Sequence, residues 1–396
     1  MMLLGGLRYL LPVIEEAHKL GIHVITCDYL PDNIAHKYSD EYHNVSIIDK
    51  EAVLKLAREL QIDGIMSFAV DPGVVTAAYV AEQMGLPNVG PYESVCILQD
   101  KAKFREFLRK NNFSCPWSYG YASVEAALAD AGKYTYPAIV KPTDAAGSKG
   151  VTRVDDAQHL LSALELAMSH SIGGGIIVEE FIEKVGDTTG SDSFVVNGEI
   201  KFFSFDDQHF DSDAPNPYIP SAHSWPSSMA EEHLDELKKE LQRLIALLNM
   251  KTGVFNIEAR VGVNGKVYIM EVSPRGGGNR LSEVLNLATG VNLIENAVRA
   301  CVGMNIEGVE QRPCQGAWAI MMLHSESSGI FSHIEFSSDF ECHIVEIDVL
   351  VDSGDVVNAF RGANDAIGHI IVKYDTIEDC LGMVKNTSRH INVIVE

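Results

Sequence analysis

The sequence predicts a chain of mixed class: α/β over its first hundred residues, α+β through the middle, and a small β-rich region at the end. Strand and helix patterns alternate through the first part. Further on, two apolar strands each deliver one glutamate, Phe255-Asn-Ile-Glu258 and Tyr268-Ile-Met-Glu271, with an Asn264-Gly265 hairpin signal between them. Past Gln311 the chain turns strand-rich. With 396 residues, 46% hydrophobic and 22% charged, it has the makeup of two to three folded domains of about 150 residues each.

In order, a strand ends at Gly5-Gly6, and a helix over 11–20 closes at Gly21 before a strand over 22–27 that ends at Asp28. A helix over 50–60, a strand over 64–68 and a helix over 73–84 complete a βαβαβ rhythm, which implies a parallel sheet covered by helices. Gly5-Gly6 followed by Asp28 looks like a reduced dinucleotide fingerprint. Without the full G-x-G-x-x-G spacing, the glycines read as structural. A charged helix over 100–110 leads into a strand over 138–141, a helix over 157–168 and a strand over 175–179. Strand-forming segments at 192–205 precede a tract over 206–230, rich in Asp, His, Pro and Ser, that reads as a long irregular loop. The helix over 231–250 is amphipathic, with leucines at 234, 237, 241, 244 and 248, and helices over 280–287 and 293–302 follow the glutamate strands. Strands are expected at 316–321, 342–346, 368–372 and 391–395, with one helix near 376–386.

Composition excludes several classes. A formal charge of −24 repels phosphate backbones and anionic membranes, so neither nucleic acid nor membrane is an expected partner. No apolar run reaches the roughly 18 residues of a membrane span, and Met-Met-Leu-Leu-Gly-Gly lacks a basic region and a cleavage site, so a cytoplasmic protein is expected. Those first residues read as a strand entering a glycine turn, with a short piece of it expected ahead of Met1. Seven dispersed cysteines without a Cys-x-x-Cys pair read as buried reduced thiols.

The chemistry begins with Glu258 and Glu271. Antiparallel pairing brings the two carboxylates side by side, where they repel unless a cation lies between them, and oxygen-only ligands suit Mg²⁺. Arg275, past the break at Pro274 and before three glycines, suggests phosphate beside the metal. Lys141 ends an apolar strand ahead of Gly147-Ser148-Lys149-Gly150, a loop whose backbone amides can form an anion-binding nest. Val178-Glu179-Glu180-Phe181-Ile182 can present a carbonyl and an amide to the edge of an adenine. Each piece alone reads equally well as a solvated turn or strand.

Taken in order, these pieces resemble the ATP-grasp superfamily, in its biotin-carboxylase-like and amino-acid-ligase branch. Leu98-Gln-Asp-Lys-Ala-Lys-Phe104 is similar to the entry helix, from which Lys103 or Lys101 reaches the phosphates. The resemblance implies a Rossmann-like pre-ATP-grasp domain over 1–97 and an ATP-grasp core over 98–310. That core has a lid lobe at 115–183 and a metal and substrate lobe at 184–310, and a small carboxy-terminal domain covers 311–396. It also implies ATP held by Lys103, Lys141, Gly147, Ser148, Lys149 and Gly150, with Glu179, Glu180, Phe181 and Ile182 at the adenine. Mg²⁺ (or Mn²⁺) would sit on Glu258 and Glu271, with Ser273 standing where most relatives have the asparagine that completes the metal shell. Arg275 and Lys141 are the implied catalytic residues, and Asp187 or Asp192 the ribose partner. The implied reaction joins a small-molecule carboxylate to an amine through an acyl phosphate. Asp206, Asp207 or His209 are candidates for the amine, and Arg260 and Asn279 for the carboxylate; His209, Asp211 and Asp213 also resemble a metal cluster. Two other functions stay open: a purine-pathway carboxylase or formyltransferase, and a non-catalytic nucleotide-binding regulator. Relatives are often dimers through the amino-terminal domain.

Overall fold

The computed structural model describes residues 1–145, 147–211 and 216–396. Four parallel strands form the amino-terminal sheet, in the spatial order Glu41–His43, Ile25–Cys27, Met2–Leu4, Ile65–Ser67. Met2–Leu4 and Ile25–Cys27 are buried at every position, as strands covered on both faces must be. Helices Leu11–Lys19, Lys50–Leu60 and Asp71–Met84 supply that cover. The edge strand Glu41–His43 escapes the sequence because its polar, half-buried residues lack an apolar signature. Gly6 is structural: a Cβ there would fall 2.5 Å from the Cβ of Asn33, whose amide donates to Asp28 at 2.7 Å.

The next unit is an antiparallel sheet ordered Ser118–Tyr121, Ile176–Glu180, Ala138–Pro142, Thr152–Val154. Its apolar face (Val140, Val154, Val178) packs on Ala163, Leu164 and Ala167 of helix Leu160–His170.

A nine-stranded sheet forms the rest of the frame. It runs from Val267–Ser273 through Gly253–Gly262, Lys184–Val196, Asp207–Phe210 and Pro220–Trp225 to Ala317–Leu323, Gly368–Tyr374 and Ile344–Val349, with Glu199–Phe202 paired beside Lys184–Val196. Helix Glu231–Leu247 places Leu237, Leu241 and Leu244 in one core with Phe255, Ile257 and Ala259 of this sheet. The expected irregular tract is corrected here: Asp207–Phe210 and Pro220–Trp225 are paired central strands. Their polar side chains hid them, because Asp207, Gln208, His223 and Ser224 are buried and hydrogen-bonded or packed inside the sheet, where sequence reads polar as solvated. Gly329–Phe336, absent from the sequence reading, pairs with Val356–Val357 and Ile391–Val395 in a separate three-stranded sheet. All seven cysteines are free, and Cys27, Cys301 and Cys380 are buried. Among the described residues no helix is long and apolar enough to cross a membrane.

Candidate active site

Burial along Gly253–Gly262 alternates: Phe255, Ile257 and Ala259 face the core while Asn256, Glu258 and Arg260 face the cleft. Glu258 lies directly opposite Glu271 on Val267–Ser273, as expected, with a shift of register between Glu258 and Ala259. Each carboxylate turns to its own cation: Lys101 Nζ is 3.5 Å from Glu271 Oε2, and Arg260 Nη2 is 3.2 Å from Glu258 Oε1. Both acids keep about a third of their side-chain surface open, 36% for Glu258 and 33% for Glu271. Two oxygen ligands on adjacent strands fit a hard divalent cation whose other ligands come from phosphate and water. Among the described residues no third acid, histidine or cysteine joins them. Of the two lysines on the entry helix, Lys101 is the one at the acids, and its ammonium also donates to the Ala145 carbonyl at 3.0 Å. Lys103 is exposed on another face, lining a separate cleft with Glu106 and Arg109.

The opposite lobe meets these strands through a buried charge triad. Arg105, one turn after Lys101, donates from Nε to Glu179 Oε2 at 2.9 Å and from Nη1 to the Met270 carbonyl at 2.8 Å. Lys141 binds the other oxygen of Glu179. Burial pushes the Glu179 pKa up, but Arg105 and Lys141 outweigh it and hold the carboxyl at about 2. The Glu179 side chain is therefore a counter-ion that sets Lys141, which corrects its placement beside an adenine. The hinge itself remains suited to a base. Phe181 N donates to Pro137 O at 3.3 Å, whereas the Ile182 amide has no acceptor among the described residues. The Ile182 side chain packs between Tyr268 and Met270. In the phosphate-type loop Gly147, Ser148 and Gly150 have φ of +67°, +56° and +69°, a conformation glycine adopts without strain. Ser148 Oγ donates to Tyr218 O at 2.8 Å across the cleft, and Lys149 is exposed.

Residues 134–283 match the sequence profile of the ATP-grasp domain, and residues 14–88 that of the ATP-grasp N-terminal domain. The chain belongs to the ATP-grasp superfamily. Its fold is similar to that of an L-amino acid ligase from Bacillus licheniformis, with a TM-score of 0.82, 21% identity and coverage of 100% of this chain and 98% of that one. Phosphoribosylglycinamide synthetase from Anaerococcus prevotii gives a TM-score of 0.77 at 24% identity, covering 100% and 99%. Among curated proteins, the carbamoyl phosphate synthase large chain of Thermomicrobium roseum is 24% identical over 332 residues, 80% of this chain and 29% of that one. The chain thus spans less than a third of the length of the curated relatives first matched.

In this ATP-grasp chain the exit of strand Val267–Ser273 is tied to the amino-terminal domain. Arg275 donates from Nε to Asp71 Oδ1 at 3.0 Å, from Nη2 to Asp71 Oδ2 at 2.8 Å, and from Nη1 to the Gly276 carbonyl at 3.0 Å. Ser273 is corrected as a metal ligand: it is 1% exposed, donates to Asp71 Oδ1 at 3.0 Å and accepts from Gln99 Nε2 at 2.7 Å. Asp192 is no ribose partner either. It is fully buried and accepts from Asn256 Nδ2 at 3.0 Å, from the Gly277 amide at 2.8 Å, and from Ser282. It thereby anchors the glycine turn after Arg275. Asp187 stands 3.9 Å from Lys184 and is partly exposed.

The residues expected at the amine and carboxylate are more buried than their sequence suggests. Asp206 is fully buried, bound by the Gly190 amide and by His223 Nδ1 at 2.6 Å, and Asp207 accepts from Ser227 and Ser228. Neither presents a free carboxylate to an amine. His209 shares a 2.8 Å hydrogen bond with Ser224 Oγ, and burial lowers its pKa, which favours the neutral ring. Asp211 pairs with His324 at 3.2 Å, and Asp213 of the expected metal cluster lies outside the described residues. Arg260 Nε is buried without a hydrogen-bond partner among the described residues. Asn279, at φ +52°, accepts weakly from Tyr9 OH at 3.5 Å. Sequence reasoning missed Asp71, Gln99, Arg105 and Asn256 as site residues. Asp71-Pro72 reads as an ordinary helix start, and Arg105 as one more charge on a solvated helix; only its i+4 spacing from Lys101 hinted otherwise.

Proposed function

We propose that this ATP-grasp chain is an ADP-forming ligase that activates a small-molecule carboxylate as an acyl phosphate and couples it to an amine. The observation that carries the reading is the cross-strand pair Glu258 and Glu271, flanked by Lys101 and Arg260, with Lys141 held by Glu179 on the neighbouring sheet. Lys101 and Lys141 would hold phosphate charge, the loop amides of 147–150 the terminal phosphates, and the unpaired Ile182 amide the adenine edge. Glu258 and Glu271 would hold Mg²⁺ or Mn²⁺, which would neutralise phosphate charge. A carboxylate oxygen of the substrate attacks the γ-phosphorus as the bond to the β-phosphate oxygen breaks, releasing ADP. The amine lone pair then attacks the acyl carbon, phosphate leaves, and the amine proton passes to a base, for which neutral His209 is the candidate. Positioning and electrostatics suffice for such transfers, so no protein nucleophile is needed.

Two observations support this over the other readings. A ribose-phosphate substrate calls for a cluster of cations, whereas Arg275 and Arg260 each already face a carboxylate, Asp71 and Glu258. The serine at 273, the one motive for a non-catalytic regulator, has a hydrogen-bonding role instead. Phosphate release measured over a panel of amino-acid pairs, and against aminoimidazole ribotide with bicarbonate, tests it. Release is expected with an amino-acid pair alone, and Glu271→Gln is expected to abolish it while leaving circular dichroism unchanged. Full activity in that variant sinks the reading.

A further inference from the structure

We propose that Asp71 is the positioning residue for Arg275, brought into the active site by the amino-terminal domain and braced by Ser273 and Gln99. The inference rests on the ligase reading above. Asp71 opens helix Asp71–Met84, where the helix dipole favours a negative charge. Its side chain is only 13% exposed and that of Arg275 10%. Both carboxylate oxygens take guanidinium hydrogens in a side-on, two-bond pairing, the arrangement that fixes an arginine in plane as well as in place. Burial pushes the Asp71 pKa up, but the charge and hydrogen bonds of Arg275, with the Ser273 hydroxyl, bring it below the usual carboxylate range. The acid is thus ionised and the guanidinium held.

The donor count matters. A guanidinium has five N–H donors, and Asp71 and Gly276 take three from Arg275. Two remain for a two-oxygen anion such as a transferring phosphoryl group or an acyl phosphate. Around this pair the domains interlock further: the Ala69 amide donates to the Gly276 carbonyl at 3.2 Å, and Gly276 packs on the Phe68 ring. A serine at 273 suits this role, since a hydroxyl can accept from Gln99 while donating to Asp71, a relay a carboxylate could not complete.

Steady-state kinetics on the full chain, with the amino-acid pair that the wild type turns over, tests the assignment. Asp71→Asn keeps the shape and removes the charge; kcat should fall about 100-fold, the scale of a misplaced catalytic group, while calorimetric affinity for the magnesium complex of a non-hydrolysable ATP analogue stays within threefold. Asp71→Glu should recover part of the loss, and Asp71→Asn should cost little more in an Arg275→Lys background. Ser273→Ala should lower kcat several-fold without moving the magnesium concentration for half-maximal rate, a readout independent of whether the Asp71 variants fold well. A folded Asp71→Asn enzyme as fast as wild type overturns the inference alone, as does a Ser273→Ala variant whose magnesium dependence shifts tenfold. A wild type that releases no phosphate with any pair overturns the ligase reading and this inference with it.

Discussion

At the residue scale, counter-charge decides which groups stay available to a ligand. Glu179 is bound on one oxygen by Arg105 and on the other by Lys141, and its side chain is 1% exposed. Glu179→Gln leaves two buried cations short of their partner, and removing one member of such a set typically costs about 3–5 kcal/mol. Urea unfolding at pH 7 should show that loss. The pH dependence follows from the sign of the shift. The folded pKa of Glu179, about 2, lies below its ordinary value of 4.5. Its contribution is therefore whole above that ordinary value and lost as pH falls towards 2, and the Gln variant should lack this acid-sensitive component. Lys141 was legible from the strand end that presents it. Arg105 was not, because a helix with charges all round does not say which of them faces inward.

At the element scale, the hairpin of Gly253–Gly262 and Val267–Ser273 was the most legible part of the site. The Asn264-Gly265 turn sets the register from Val261 opposite Val267 to Ala259 opposite Ile269, and an irregularity between Glu258 and Ala259 then brings Glu258 opposite Glu271. A slip of Gly253–Gly262 by one residue would drive Glu258 into the core beside Ile257. The strand exit is less tolerant than it looks. A Cβ added at Gly276 would fall 2.1 Å from Cζ of the buried Phe68 ring. Gly276→Ala should lower stability by about 1–3 kcal/mol and slow turnover through the neighbouring Arg275. A double-mutant cycle with Phe68→Leu should show the two positions coupled; simple additivity would place the cost elsewhere. The strands Asp207–Phe210 and Pro220–Trp225 stayed hidden for the converse reason. Their polar residues are paired within the sheet, and composition alone cannot separate a satisfied buried polar group from a solvated one.

On the scale of the whole molecule, the amino-terminal domain and the carboxy-terminal strands meet at His369. It is 2% exposed, neither ring nitrogen has a partner among the described residues, and the Tyr9 ring lies 6.3 Å away, edge-on. Burial lowers its pKa to about 4 from an ordinary value of 6.5. Between those limits the unfolded chain binds a proton that the folded chain refuses, so stability should decline as pH falls from about 6.5 to 4. The decline is on the order of 3 kcal/mol at about 1.4 kcal/mol per pH unit. Melting temperatures at pH 7 and 4.5 should show it in the wild type. A His369→Phe protein should have a flatter profile, and an unchanged one would mean that other groups titrate in that window.

The sequence alone determined the superfamily, the mixed fold class and the juxtaposition of Glu258 with Glu271. All of these rest on local signals: strand alternation, turn residues and motifs read in succession. Tertiary structure decided which lysine of the entry helix meets the acids and that Glu179 is a counter-ion. It also decided that Ser273 serves Asp71, which stands 202 residues earlier in the chain. Spacing along the chain cannot encode such choices, because a hydrogen bond between distant residues exists only once packing has removed the water that would otherwise satisfy both partners.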